Sequence, residues 1–315
     1  MIKIKDMKCG DENVEFTALI SHVTAGKTNG AHKTNYLSIV FQDNTGKIDA
    51  KLWNASDEQM KSLVNGAVVR GKGDIIKYSD DRQMKIISID NVNYQESQQV
   101  QLLAKAPLDA DDMMEEIMQF IKKISNLKLY TLTKHLFEEN IEKIKIYPAA
   151  SINHHEYVSG LAYHTLSMLK VADALLGIYP ELNGDLMFAG IVLHDLGKIR
   201  ELSGPVVPSY TVEGKLLGHI SIGQAMVYQA AKELNIEGEE VTLLQHMILS
   251  HHGKNEYGSP VLPQLREAEI VNFIDNMDAR IQMFDKVLQQ TESGEYSKRV
   301  FSLENRTVYK PKMYE

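Results

Sequence analysis

The chain has 315 residues, a formal net charge of −8 and a single cysteine, Cys9. That length suits two domains, each large enough to bury its own core, and the lone thiol excludes an intrachain disulfide framework and a thiolate zinc site. An acidic total argues against wholesale wrapping of nucleic acid by a basic surface but leaves room for a local basic groove. With neither a secretory signal nor an apolar run of membrane-spanning length, the expectation is a soluble cytoplasmic protein.

From Val14 to about Asn93 the apolar residues alternate with period two, as in "VEFTALI", "YLSIVF" and "KIDAKLW", with turn-rich pieces "TAGKTNGAHKTN" and "DNTGK" between them. After Trp53 one helix interrupts the strands: Ser56 is placed as N-cap with Gln59 three residues on, and Gly66 is expected to end it. Two further strands follow in "AVVRGKGDIIKY" and "RQMKIISIDNV". Three strands, a short helix and two strands match an OB-fold barrel over residues 1–94.

In "KIDAKLW", Ile48, Ala50 and Leu52 share one face and leave Lys47, Lys51 and Trp53 on the other. An outward face of that kind stacks bases and neutralises phosphates of a single strand, and Tyr36 on the preceding strand joins it. Lys27 and Lys33, with Lys72 and Arg82, extend the candidate track. A competing role for Trp53 is to plug the end of the barrel. OB-folds also bind proteins and sugars, so the fold alone does not specify nucleic acid.

The alternation is lost around "QESQQVQLLAKAP", which places a linker at residues 95–108. Helical spacing takes over from Asp109, starting with "DADDMMEEIMQFIKKI", so residues 109–315 read as an all-α domain. Its tail, "RVFSLENRTVYKPKMYE", has a short strand-like stretch and a basic, tyrosine-containing end without an assigned role.

Histidines gather in this half: His164, His194 beside Asp195, His219, and the doublet His251 and His252, followed by Asp275 and Asp278 on one helical face. Several sit in or at the ends of apolar runs, where a charge needs a partner or a metal. Imidazoles supply nitrogen and a carboxylate can bridge two cations, so the set suits one or two divalent metals in a helical bundle. Lys198, one turn after His194, can reach a nonbridging phosphate oxygen, its competitor being a solvated lysine at a helix end. The doublet ahead of Gly253 has a rival reading as cationic histidines at a helix C-terminus, and Asp278 as an outer carboxylate. His154 and His155 either meet substrate or cap a helix. Nitrogen and carboxylate ligands fit manganese, iron or magnesium better than structural zinc.

The order H, HD, H, HH, D, with "HDLGK" as its most specific piece, resembles the HD-domain superfamily of metal-dependent phosphohydrolases. An OB-like domain ahead of it, together with "NHHEYVSGLAYHTLSML" and "YTVEGKLLGHISIG", resembles the YhaM type of bacterial 3′-to-5′ exoribonuclease along nearly the whole chain. The resemblance implies that His164, His194, Asp195 and Asp275 hold one metal, and that Asp195 bridges to a second held by His219, His251 and His252. It also implies manganese and attack on the 3′ end of single-stranded RNA, with single-stranded DNA as a further candidate. Assembly into a homo-oligomer is expected, and no membrane partner. Two alternatives compete: a small-nucleotide phosphohydrolase with a regulatory OB domain, and a replication-associated nucleic-acid-binding protein.

Overall fold

Alternating burial turns the first part of the chain into five strands: β1 (Val14–Lys27), β2 (Asn35–Asp43), β3 (Gly46–Trp53), β4 (Val68–Tyr78) and β5 (Asp81–Val92). They come from a computed structural model that describes residues 1–29, 33–79, 81–149 and 157–314. The strands close a barrel in the order β1-β2-β3-β5-β4, antiparallel except for β3 with β5. Inward residues such as Phe16, Ile39, Phe41, Ile48, Leu52 and Met84 fill it, with the Phe16 and Phe41 rings 4.9 Å apart. This is the order of an OB-fold.

Helix α1 (Asp57–Ser62) sits between β3 and β4, as the capping residues require: Gln59 N donates to Ser56 Oγ at 3.1 Å and Ser56 N to Gln59 Oε1 at 3.0 Å. It stops at Ser62 rather than running on to Gly66, because Leu63 turns extended to bury its side chain in the barrel. β1 is longer than the alternation suggested. Its "TAGK" end, expected as a turn, pairs with β2 through Ala25, Gly26 and Lys27. A Cβ on Gly26 would lie 2.4 Å from the Tyr36 ring, so the glycine makes room for that ring.

The chain divides into two compact units, Met1–Lys105 with Pro205–Val207, and Ala106–Gly204 with Pro208–Glu315. Within the stretch expected as linker, α2 (Glu96–Val100) is helical. The second unit carries α3 (Ala110–Lys122), α4 (Leu127–Ile144), α5 (Gly160–Ile178), α6 (Gly184–Leu193), α7 (Lys198–Glu201), α8 (Val212–Glu233), α9 (Glu239–Ser250) and α10 (Arg266–Gln289). Helix α6 is buried without a break from Leu186 to Leu193. A helix apolar on every side belongs at the centre, and α4, α5, α9 and α10 pack around it. Its C-terminal end therefore delivers His194 and Asp195 to the interior. Beyond α10 the tail doubles back through bridges Tyr296 to Tyr309 and Val300 to Arg306. No helix among the described residues is long and apolar enough to cross a membrane.

Candidate metal centre and nucleic-acid interface

Five imidazoles from four helices and their ends meet around the carboxylate at the end of α6. Each commits its Nδ1 to an acceptor: His164 to Asp278 Oδ2, His194 to Ile191 O, His251 to Ile248 O and His252 to Tyr257 O, all at 2.7 Å, and His219 to Glu201 Oε1 at 3.1 Å. A neutral imidazole that donates from Nδ1 keeps a lone pair on Nε2, which is how metal-binding histidines are oriented. Three of the partners are backbone carbonyls and two are carboxylates.

The Nε2 atoms divide between the two oxygens of Asp195. His194 Nε2 lies 3.3 Å and His164 Nε2 3.9 Å from Oδ2, while His219 Nε2 lies 3.4 Å and His251 Nε2 3.7 Å from Oδ1. Donor atoms of His164, His194 and Asp195 cluster closely enough to share one ion, as do those of Asp195, His219, His251 and His252. Asp275 adds a carboxylate 3.3 Å from His164 Nε2. Asp195 Oδ1, His219 Nε2 and His251 Nε2 are buried and find no hydrogen-bond partner among the described residues. Buried polar atoms cost free energy unless satisfied, so three orphans aimed at one small volume fit a divalent cation.

The electrostatics agree with that donor set. Burial holds His251 well below the ordinary histidine value, aided by neighbouring His252 and His194, and burial lowers His252 too. The doublet at the end of α9 is thus neutral and not a pair of cations answering the helix dipole. Burial works against charging His164, but hydrogen bonds to Asp275 and Asp278 outweigh it and raise that residue to about 9. Burial alone would raise Asp195, yet Lys198 and His194 hold it far below the usual carboxylate range. Asp275 is lowered in the same way, chiefly through His164. The anionic carboxylates and the neutral His251 and His252 are in the ionic forms that bind metal, whereas His164 has a proton to release when an ion takes its place between the carboxylates.

Lys198 is buried, with Nζ 2.5 Å from Asp195 Oδ2, and is no solvated lysine. Its α7 follows the tight "HDLGK" turn, where a Cβ on Gly197 would land 2.0 Å from His219 O. The glycine lets α8 approach, and a kink at Gly218 (φ 71°) then aims His219 at the site. Lys198, His219, His252 and Asp275 line a cleft of about 720 Å³ that also meets Tyr210 and Tyr257. Glu201 was not foreseen from sequence: it accepts from both Nδ1 and the backbone N of His219, at 3.1 and 2.9 Å. Asp278 stands behind His164. His154 and His155 lie outside the described residues.

On the barrel, Tyr36 and Trp53 are cross-strand partners with rings 5.3 Å apart, and Lys51 Nζ lies 4.7 Å over the Tyr36 ring while touching Ser38 Oγ. Trp53 is 48% exposed, so it does not plug the barrel. Parallel pairing of β3 with β5 sets Lys85 directly beside Lys51 on the same outer face, a residue the sequence did not single out. Like charges opposed across strands destabilise a sheet unless an anion comes between them. Lys33 is exposed in the β1–β2 connection. Two expected members of the track are engaged elsewhere. Lys72 pairs with Glu15 at 2.8 Å on β4, which neighbours neither β2 nor β3. Arg82 donates to the carbonyls of Ile4 and Met7 and ties the N-terminal turn to the barrel.

Residues 161–280 match the family model of the HD domain. The helical unit and its histidine-aspartate cluster are thus those of an HD-domain protein, carried behind an OB-like barrel. The chain is 46% identical to the 3′-5′ exoribonuclease YhaM of Halalkalibacterium halodurans, over 93% of this chain and 92% of that protein. It is equally identical to the protein of that name from Geobacillus sp., over 95% and 92%, and from Shouchella clausii, over 93% and 92%. This chain belongs to the YhaM family. Among solved structures, the second OB-fold domain of replication protein A from Methanococcus maripaludis aligns with 30% of this chain and 96% of its own, at 15% identity and a TM-score of 0.25. The strand order of the barrel is by itself that of an OB-fold.

Proposed function

We propose that this chain is a metal-dependent 3′-to-5′ exoribonuclease that shortens single-stranded RNA to nucleoside monophosphates. The observation that carries the proposal is the shared aim of four Nε2 atoms, those of His164, His194, His219 and His251, at the two oxygens of Asp195, in a member of the YhaM family. His164, His194, Asp195 and Asp275 would hold one ion, and Asp195 with His219, His251 and His252 would hold a second. When bound, such ions supply Lewis-acid neutralisation of the scissile phosphate and a more acidic attacking water. The thiolate-free donor set suits Mn²⁺, with Fe²⁺ or Mg²⁺ as the nearest substitutes.

The protein's own groups do the rest. Asp278 and Glu201 fix the ring planes of His164 and His219, which keeps their lone pairs aimed without rotation. Lys198 brings a positive charge to the cleft wall, where it stabilises charge growing on a nonbridging phosphate oxygen. A cleft of about 720 Å³ is the size of a small-ligand pocket and suits the terminal nucleotides of a strand. On the barrel, Trp53 and Tyr36 offer π-faces and Lys51, Lys85 and Lys33 offer cations, the combination that holds single strands with little sequence preference. Single-stranded DNA presents the same faces and charges and is a second substrate class. An RNA substrate also fits the cytoplasmic placement expected from the sequence.

The test is digestion of a 5′-labelled single-stranded RNA with Mn²⁺. A descending ladder of labelled products with released mononucleotides is expected. Immediate release of a labelled mononucleotide would mean the opposite polarity, and activity only on free nucleotides would replace the exonuclease with a small-nucleotide phosphohydrolase.

A further inference from the structure

The tail is the part of the sequence that neither the metal centre nor the barrel uses. Between Lys298 and Glu315 five cations stand against two acids and leave +3, in a chain whose total is −8. Its hairpin is anchored. Arg280 of α10 grips Glu304 through Nη1 and Nη2 at 2.6 and 3.0 Å, the Arg306 guanidinium lies 5.3 Å from the Phe284 ring, and Leu303 and Val308 are buried. Its aromatic rings are left exposed. Phe301 is 91% exposed, Tyr296 69% and Tyr309 44%, and the two tyrosine rings stand 5.1 Å apart. Ser302 and Glu304 of the same hairpin line the cleft that holds His219, His252 and Asp275.

We infer that this hairpin is a second contact for single-stranded RNA, on the rim of the cleft and within the helical unit itself, beyond the residues that match the HD domain. The inference rests on the exoribonuclease function proposed above. A strand shortened from its end must leave the cleft over the rim, so rim side chains meet the nucleotides next to those being cut. Exposed rings offer stacking faces and Arg299 and Lys312 offer charge to the phosphates. A surface for an apolar protein partner would lack the concentration of cations, and the excess of +3 selects a polyanion. The hairpin does for the nucleotides beside the cleft what Trp53 and Lys51 do on the barrel.

The test uses the full-length Mn²⁺-loaded enzyme with Tyr296→Ala, Phe301→Ala and Tyr309→Ala combined, and Phe301→Ala alone. On a long single-stranded RNA the triple variant should show KM raised at least about tenfold with kcat held, and the single variant a rise of about threefold or more. Hydrolysis of bis(p-nitrophenyl) phosphate, too small to reach the hairpin, should match wild type. In parallel, RNA carrying 4-thiouridine near its 3′ end should crosslink to the peptide spanning 296–309, a measurement on wild type that needs no variant to fold. An unchanged KM for both variants overturns the inference, as does crosslinking confined to other peptides, or an equal loss on RNA and on the small diester. If wild type hydrolyses the diester but does not shorten RNA, it is the exoribonuclease function that fails.

Discussion

Replacing Trp53 and Lys51 together by alanine removes the stacking face and the cation that the β2–β3 pair presents. Folding should survive. Trp53 is already 48% exposed, and losing its contact with Tyr36 costs about 0.5–1.5 kcal/mol, against a total of about 5–15 kcal/mol for a domain. Binding loses more, because one base stacked on an aromatic ring is worth about 1–3 kcal/mol. At about 1.4 kcal/mol per factor of ten, that is roughly a 5- to 150-fold loss, and Lys51 adds one phosphate contact whose removal lowers the salt dependence by about one unit. The grip acts alike on bound substrate and transition state, so the loss should enter KM and leave kcat nearly unchanged. Steady-state kinetics on a long strand and on a dinucleotide, each at two salt concentrations, separate these effects, since the dinucleotide should show almost none of the loss. If the double variant processes long strands with wild-type KM, the barrel is not the grip. Equal impairment on the dinucleotide would mean damage to the metal centre or to folding.

Asp195→Ala should abolish turnover while RNA binding persists, and it leaves the Lys198 ammonium buried without the partner it has at 2.5 Å. That lone charge should cost about 3–5 kcal/mol in a thermal melt, and adding Lys198→Met should restore Tm but not activity. EDTA should stop the reaction, with Mn²⁺ restoring it better than Ca²⁺, which prefers more oxygen ligands; recovery with Ca²⁺ alone would contradict the donor set. Gly197→Ala puts a methyl 2.0 Å from His219 O, so we expect about 1–3 kcal/mol of destabilisation by denaturant titration and a fall in kcat from a displaced His219. Burial tends to raise Asp185, but hydrogen bonds from Ser125 Oγ, Ser125 N and Asn126 N lower it on balance. Its contribution is therefore complete above the unfolded value of about 4 and is lost as pH falls through the lowered folded value. Asp185→Asn should cost about 1 kcal/mol at neutral pH, and the gap to wild type should close in acid.

The amino-acid sequence by itself determined which face of each element is buried. Alternation in "KIDAKLW" put Ile48, Ala50 and Leu52 inside and Lys51 and Trp53 outside, and the Ser56–Gln59 capping box placed the start of α1. Histidines spaced along apolar helices pointed to a divalent-metal site, because ligand-type side chains buried in a bundle need a partner or an ion. These signals are local: a period or a cap depends on neighbours a few residues away. Partners are not local, and tertiary structure alone decided them. Glu201 supports His219 because the turn through Gly197 folds α7 against α8. Lys85 stands beside Lys51 because the barrel closes through a parallel β3–β5 pair. Arg82, basic and plausible for phosphate in the sequence, was claimed by two backbone carbonyls of the N-terminal turn. The "TAGK" segment, rich in turn formers, stayed a strand because β2 offered it hydrogen bonds and Gly26 made room for Tyr36. Periodicity fixes the direction a side chain faces, whereas the atom it meets depends on which distant segment the closed fold brings against it.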